Sequence, residues 1–166
     1  FADTVWSCTT DPSITVGTTS LTFKQLTPTA LDAAGSTTYT ITATNAWEQP
    51  AVSIVLPSAG TYLLFGRAAG AVEVSAISGN VAYVQTRLYD VTNAVEVPQS
   101  IAYTALTNRI TSRVLGTSPF STLYTVTASV TVRLEAQRTY DGSPAPTFTQ
   151  SAIFENQSNI GYLKIG

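Results

Sequence analysis

Residues 121 to 138, STLYTVTASVTVRLEAQR, alternate with a period of two. Tyr124, Val126, Ala128, Val130, Val132, Leu134 and Ala136 fall on one face, and Thr125, Thr127, Ser129, Thr131, Arg133, Glu135 and Gln137 on the other. That spacing predicts half-buried β-structure. The small Thr-Ala-Ser step in the middle predicts a turn between two strands. VAYVQTRLYDV, residues 81 to 91, alternates in the same way. Further strands are predicted in ITVGTTSLTFKQL, TTYTITATNA, AVSIVLP and NIGYLKIG. The stretch PSAGTYLLFGRAAGAV, residues 57 to 72, differs from these. After a Pro-Ser-Gly turn, Thr61, Leu63 and Phe65 point one way and Tyr62, Leu64 and Gly66 the other, and both faces are apolar. This predicts a strand covered on two sides, ending at a second turn near its Gly and Ala residues.

No segment shows sustained helical spacing, and LTPTALDAAGS, residues 26 to 36, holds one helical turn at most. Turn signals recur about every ten residues: DPS, NAWEQP, PSAG, AISGN, VTNA, LGTSP, YDGSPAP and ENQSN. Many short strands at this interval predict an all-β fold, an antiparallel two-sheet jelly-roll sandwich. With no composition break, residues 13–166 read as one domain and residues 1–12 as an N-terminal arm or linker.

Composition narrows the chemistry. Charged residues make up 11% of the 166, against about 25% in an average soluble domain, so Thr, Ser, Asn and Gln must clothe the surface. A partner that hides apolar area accounts for such a balance. The net charge of -2 and the scattered basic residues argue against nucleic acid as a partner. No apolar run reaches the ~20 residues of a membrane-spanning helix, so no membrane contact is expected. The chain has no His, which removes the usual base of nucleophilic triads and the commonest nitrogen ligand of zinc. Cys8 stands alone, excluding an internal disulfide, and is expected as a small, partly buried residue. The ten acids have no motif around them. No enzyme activity, catalytic residue, cofactor or metal is therefore expected.

PSAGTYLLFGRAAG resembles the central P-x-x-G-x-Y-x-F strand of the jelly rolls shared by complement globular heads and tumour necrosis factors. Pro57, Gly60 and Tyr62 match, and Phe65 falls one position later than the motif. ENQSNIGYLKIG resembles that family's closing strand, with Ser158, Gly161, Tyr162 and Leu163 matching, and residues 129 to 143 resemble its penultimate strand. More narrowly, DPSITVGTTSLTF, TRLYDVTNAVEVPQS, VTVRLEA and GYLKIG look like phage-encoded versions of the domain, which sit on tail fibres, spikes, head fibres or capsid decorations. The first fifty residues match loosely, and the acidic cluster of a calcium site is absent. The resemblance implies a homotrimer on the virion surface, with Tyr62, Leu64, Tyr83 and Tyr162 as candidates for the trimer seam. Other virion proteins and host surface glycans are the expected partners.

Aromatics beside polar groups in loops suit glycan recognition, because a sugar offers an apolar face to stack and hydroxyls to pair. Trp47 with Glu48, Tyr89 with Asp90, and Tyr140 with Arg138 and Asp141 form three such groups. Three functions are open at this point. They are a trimeric phage virion component that attaches to the host or decorates the capsid, a monomeric carbohydrate-binding module, and a polysaccharide hydrolase built on two facing carboxylates.

Overall fold

The computed structural model describes residues 5–8, 20–21, 23–26, 29–32, 37–76, 81–108 and 113–165. Thirteen strands run through them in the order β1 (Val5–Cys8), β2 (Phe23–Leu26), β3 (Thr29–Asp32), β4 (Thr38–Thr40), β5 (Ser53–Leu56), β6 (Gly60–Ala76), β7 (Val81–Asp90), β8 (Val95–Glu96), β9 (Ala102–Thr107), β10 (Val114–Val126), β11 (Val130–Asp141), β12 (Thr147–Phe154) and β13 (Asn159–Lys164). A short 3-10 turn, Glu155–Gln157, separates the last two. β1 and β2 pair with each other, so the arm expected over residues 1–12 contains a strand.

β6 organises the first sheet. Along one edge it pairs with β10, from Gly60 opposite Val126 to Val72 opposite Val114. Its other edge is divided: β13 pairs with residues 62–67 and β12 with residues 70–76. β3 lies beyond β13, and β4 beyond β12. In the second sheet β11 lies between β5 and β7, while β8 and β9 share the far edge of β7. Collinear pieces can be merged into eight strands in chain order: β3 with β4, β8 with β9, and β12 with β13. The two sheets then read 1-8-3-6 and 2-7-4-5, the double Greek key of a jelly roll. The antiparallel sandwich predicted from the alternation is the observed fold.

The inner faces meet in one core. β6 contributes Tyr62, Leu64, Ala68, Val72 and Val74, β7 contributes Ala82, Val84 and Leu88, and β11 contributes Val132, Leu134 and Ala136. A buried carboxylate fastens one end: Glu155 accepts from the Ala51 N–H at 2.6 Å and the Thr37 hydroxyl at 2.9 Å. The sandwich is also tight between the uncoupled edges of the sheets. A Cβ on Gly116 of β10 would lie 1.9 Å from the carbonyl oxygen of Thr104 on β9.

Several local expectations are corrected. β6 does not stop at a second turn after Gly66 but runs for 17 residues, because β12 continues the ladder that β13 begins. LGTSP is not a turn and lies within β10. An edge strand tolerates Pro119, since half of its N–H groups have no ladder partner. Thr29–Asp32 is extended, not helical, and Cys8 is exposed. β9 and β12 escaped prediction because register shifts at Val84/Gln85 and around Phe148 break their alternation. The Thr-Ala-Ser step does separate two strands, β10 and β11. ITVGTTSLTFKQL lies mostly outside the described residues, which include β2 from it.

Gly116→Val is therefore expected to cost about 2–3 kcal/mol by forcing the two edges apart. At about 2–4 °C per kcal/mol for a chain of this size, thermal melts should show Tm falling by roughly 5–10 °C. Thr117→Val, at an exposed position, should leave Tm unchanged.

Candidate functional site

Side chains alternate across a strand, so β7 and β11 each carry one face outward. On the outer face of the second sheet this places Arg87 directly opposite Glu135, and Tyr89 opposite Arg133. The Arg87 guanidinium lies 4.3 Å from the Trp47 ring centroid and 4.8 Å from that of Tyr89. Arg133 covers Tyr89 from 5.4 Å. The result is an aromatic–guanidinium stack in which Trp47 and Tyr89, expected in separate loops, are brought together by Arg87.

The stack is satisfied internally. Arg87 donates to Glu135 at 2.7 and 2.9 Å and to Glu96 at 3.1 Å. Arg133 donates to the other oxygen of Glu135 at 2.6 and 2.9 Å and to Gln49 at 2.8 Å. Glu135 is buried and accepts all four of its charge-assisted bonds from these two arginines. Two cations face two carboxylates, leaving no net charge for an ionic ligand. The arrangement makes a stiff, polar, neutral surface.

The other expected ligand contacts have structural occupations. Glu48 closes its own loop, accepting from the Thr42 N–H at 2.7 Å, the Ala43 N–H and the Tyr39 hydroxyl at 3.0 Å. Asp90 is fully buried and accepts from the Tyr124 hydroxyl at 2.7 Å and from the backbone and side chain of Asn93 at 3.0 and 2.8 Å. Burial pushes the Asp90 carboxyl up. The bonds from Tyr124 and Asn93 outweigh that push and hold it below the ordinary carboxylate value. Burial and the same carboxylate push the Tyr124 hydroxyl far above its usual range. Arg138 donates to the Thr44 hydroxyl and the Ile41 carbonyl and lies over Phe148. Asp141 is exposed and accepts from Tyr83, and Tyr140 is half-buried opposite Ala82. At about 3.3 Å per residue, Asp141 lies some 26 Å along β11 from Arg133, so the three groups do not form one site.

The residues expected at a trimer seam are also placed otherwise. Tyr62 and Leu64 have no exposed surface, and Tyr162 packs edge-on against Tyr62 inside the sandwich. These three are core residues of a single chain. Tyr83 sits on the outer face of the second sheet, nearly covered by its edge contact with Tyr103.

The opposite face of β6 carries one apolar surface. Leu123 of β10, Leu63 of β6 and Leu163 of β13 stand in register across three adjacent strands on the outside of the first sheet. Leu123 is 59% exposed, and Leu63 and Leu163 are half-buried. Phe65 lies two positions further along β6. Ile165, 47% exposed, extends the row beyond β13, its N–H bonded to the Thr61 carbonyl. The sequence signal for this row was the second apolar face at Thr61, Leu63 and Phe65. Its neighbours Leu123 and Leu163 could be found only from the strand order.

No family model matches the chain, and no curated protein matches it. Among solved structures, one similar to this chain is described as the structure of infectious bursal disease virus Gx strain. The match has a TM-score of 0.44 and 15% identity, and covers 93% of this chain and 36% of that chain.

Asp90→Ala should cost about 2–3 kcal/mol, because it leaves the half-buried Tyr124 hydroxyl without its charged acceptor. The pH dependence follows from the lowered carboxyl value. The contribution of Asp90 is fully present above the unfolded value of about 3.9 and is lost as pH falls through the lower folded value. Urea midpoints measured from pH 7 to pH 2 should show a shallower acid limb for Asp90→Asn than for the parent protein.

Proposed function

We propose that the protein is a non-enzymatic surface component of a bacteriophage virion, assembled as a homotrimer, that attaches the particle to its host cell. The observation that carries this reading is the outward row of Leu123, Leu63 and Leu163 with Phe65 and Ile165 beside it. An apolar face on an ordered sheet costs free energy in water and calls for a cover. A second copy of the chain is the simplest cover, and a closed ring of three leaves no open end for fibre growth. A stable interface of this kind buries on the order of 1,000 Å² or more. At about 25 cal/mol per Å², such burial outweighs the few hydrogen bonds that Thr61 and Thr125 offer at its rim.

The low charge, the jelly-roll strand order and the resemblance of the β6 and β13 segments to phage-borne domains support the virion assignment. The neutral aromatic–guanidinium face of the second sheet then looks away from the contact. Weak sites repeated three times per trimer, with many trimers per particle, would give the avidity that attachment needs. The carboxylates of Glu48, Asp90, Glu135 and Glu155 are each engaged by protein donors, which favours binding over hydrolysis.

Light scattering on the purified chain should give three times the monomer mass. Leu123→Asp and Leu63→Asp should reduce it to the monomer without loss of the β-sheet circular dichroism. Leu64→Asp, inside the core, should instead abolish folding. Fluorescently labelled trimer should adsorb to host cells at least tenfold better than the Leu123→Asp monomer. A monomeric parent chain, or an unchanged mass for both outward variants, would overturn the assembly.

A further inference from the structure

At the far end of the first sheet's outer face lies a cleft of about 520 Å³, lined by residues of β10 and β6, by Phe154, and by Asn156 and Gln157 of the 3-10 turn. That volume is within the range of small-molecule sites, about 300–1,000 Å³. Its one charged lining residue is Arg113.

The arginines distinguish this place from the rest of the surface. Of the five among the described residues, Arg67, Arg87, Arg133 and Arg138 each donate to protein acceptors. Among the described residues, Arg113 donates to none. Its guanidinium lies over the Phe154 ring, 5.6 Å from the centroid. A ring contact orients the guanidinium through its face and leaves the in-plane N–H groups available. None of the three ion pairs among the described residues includes Arg113. Around this guanidinium the cleft offers the side-chain amides of Asn156 and Gln157 and the hydroxyls of Thr38 and Thr117, with Leu115 and Ala69 as an apolar floor.

We infer that this cleft binds a carboxylated sugar, a uronic or sialic acid residue of a surface glycan, with its carboxylate on Arg113 and its hydroxyls on the amide and threonine groups. A planar guanidinium fork matches a carboxylate with two parallel bonds. The amides and hydroxyls supply both donors and acceptors, as a polyol requires. The cleft is complete within one chain and lies about six residues along β6 from the leucine row, roughly 20 Å. The inference is therefore independent of the trimer.

The test is calorimetric or NMR titration of the full chain with trigalacturonic acid and 3′-sialyllactose, with maltotriose as the neutral control and inorganic phosphate as the bare anion. One of the acidic sugars should bind at least tenfold more tightly than maltotriose. Arg113→Gln should abolish that preference, and Asn156→Ala should weaken binding severalfold. Both positions are exposed, so thermal melts should be unchanged. Binding of neither acidic sugar, equal binding of maltotriose, an Arg113→Gln protein that binds like the parent, or binding of phosphate alone would each overturn the inference. The Leu123→Asp monomer should bind the sugar as the parent does, so a failed assembly and a failed site give different results.

Discussion

The structure depends on β6 being paired along both edges while its inner face fills the core. One strand of 17 residues holds β10 on one side and β12 and β13 on the other. It also places Tyr62, Leu64, Ala68, Val72 and Val74 against the second sheet. Because pairing fixes register, it fixes which side chains share a row. The leucine row, the close approach at Gly116 and the cleft beside Arg113 are all consequences of the same alignment. A shift of one residue would carry every one of these side chains to the opposite face.

Much of this was legible in the sequence, and the physical reason is alternation. Residues 121–138 and 81–91 have one apolar and one polar face, and they became strands with those faces inside and outside. Segment 61–65 was also legible as a strand with two apolar faces, but not which face looks inward. Tyr62 and Leu64 on one side and Leu63 and Phe65 on the other are equally hydrophobic. The decision rests with residues far away, at 123 and 163, that the fold brings alongside. For that reason Tyr62, Leu64 and Tyr162, expected at a subunit contact, turn out to be buried in the core of one chain. β9 and β12 were hidden by bulges, which insert a residue and reverse the alternation midway. The aromatic–guanidinium stack was half visible: Trp47 and Tyr89 stood out as residues, but their meeting at Arg87 depends on a long-range contact that no local pattern encodes. Arg113 gave no signal, since an arginine becomes unusual only once its neighbours are known.

The two outer faces of the sandwich are unlike. That of the second sheet binds its own charges, with Glu135 holding two arginines between aromatic rings. The face of the first sheet is apolar at one end and at the other carries Arg113, which has no hydrogen-bond acceptor among the described residues. The three ion pairs among the described residues all lie on a single face. The leucine row and the cleft occupy different lengths of the same strands.

The divided edge of β6 also bears on how the protein is made. Its neighbours on that side, residues 147–164, are synthesised long after β6 itself, and Glu155 between them anchors Ala51 and Thr37. Until that segment leaves the ribosome, the central strand has a naked edge and the sandwich lacks a wall. Pairings between parts so distant along the chain carry a high loop-closure cost and form slowly. The nascent polypeptide therefore has to wait for residues 147–164 before the sandwich can close, holding a sticky β-edge in the open during translation.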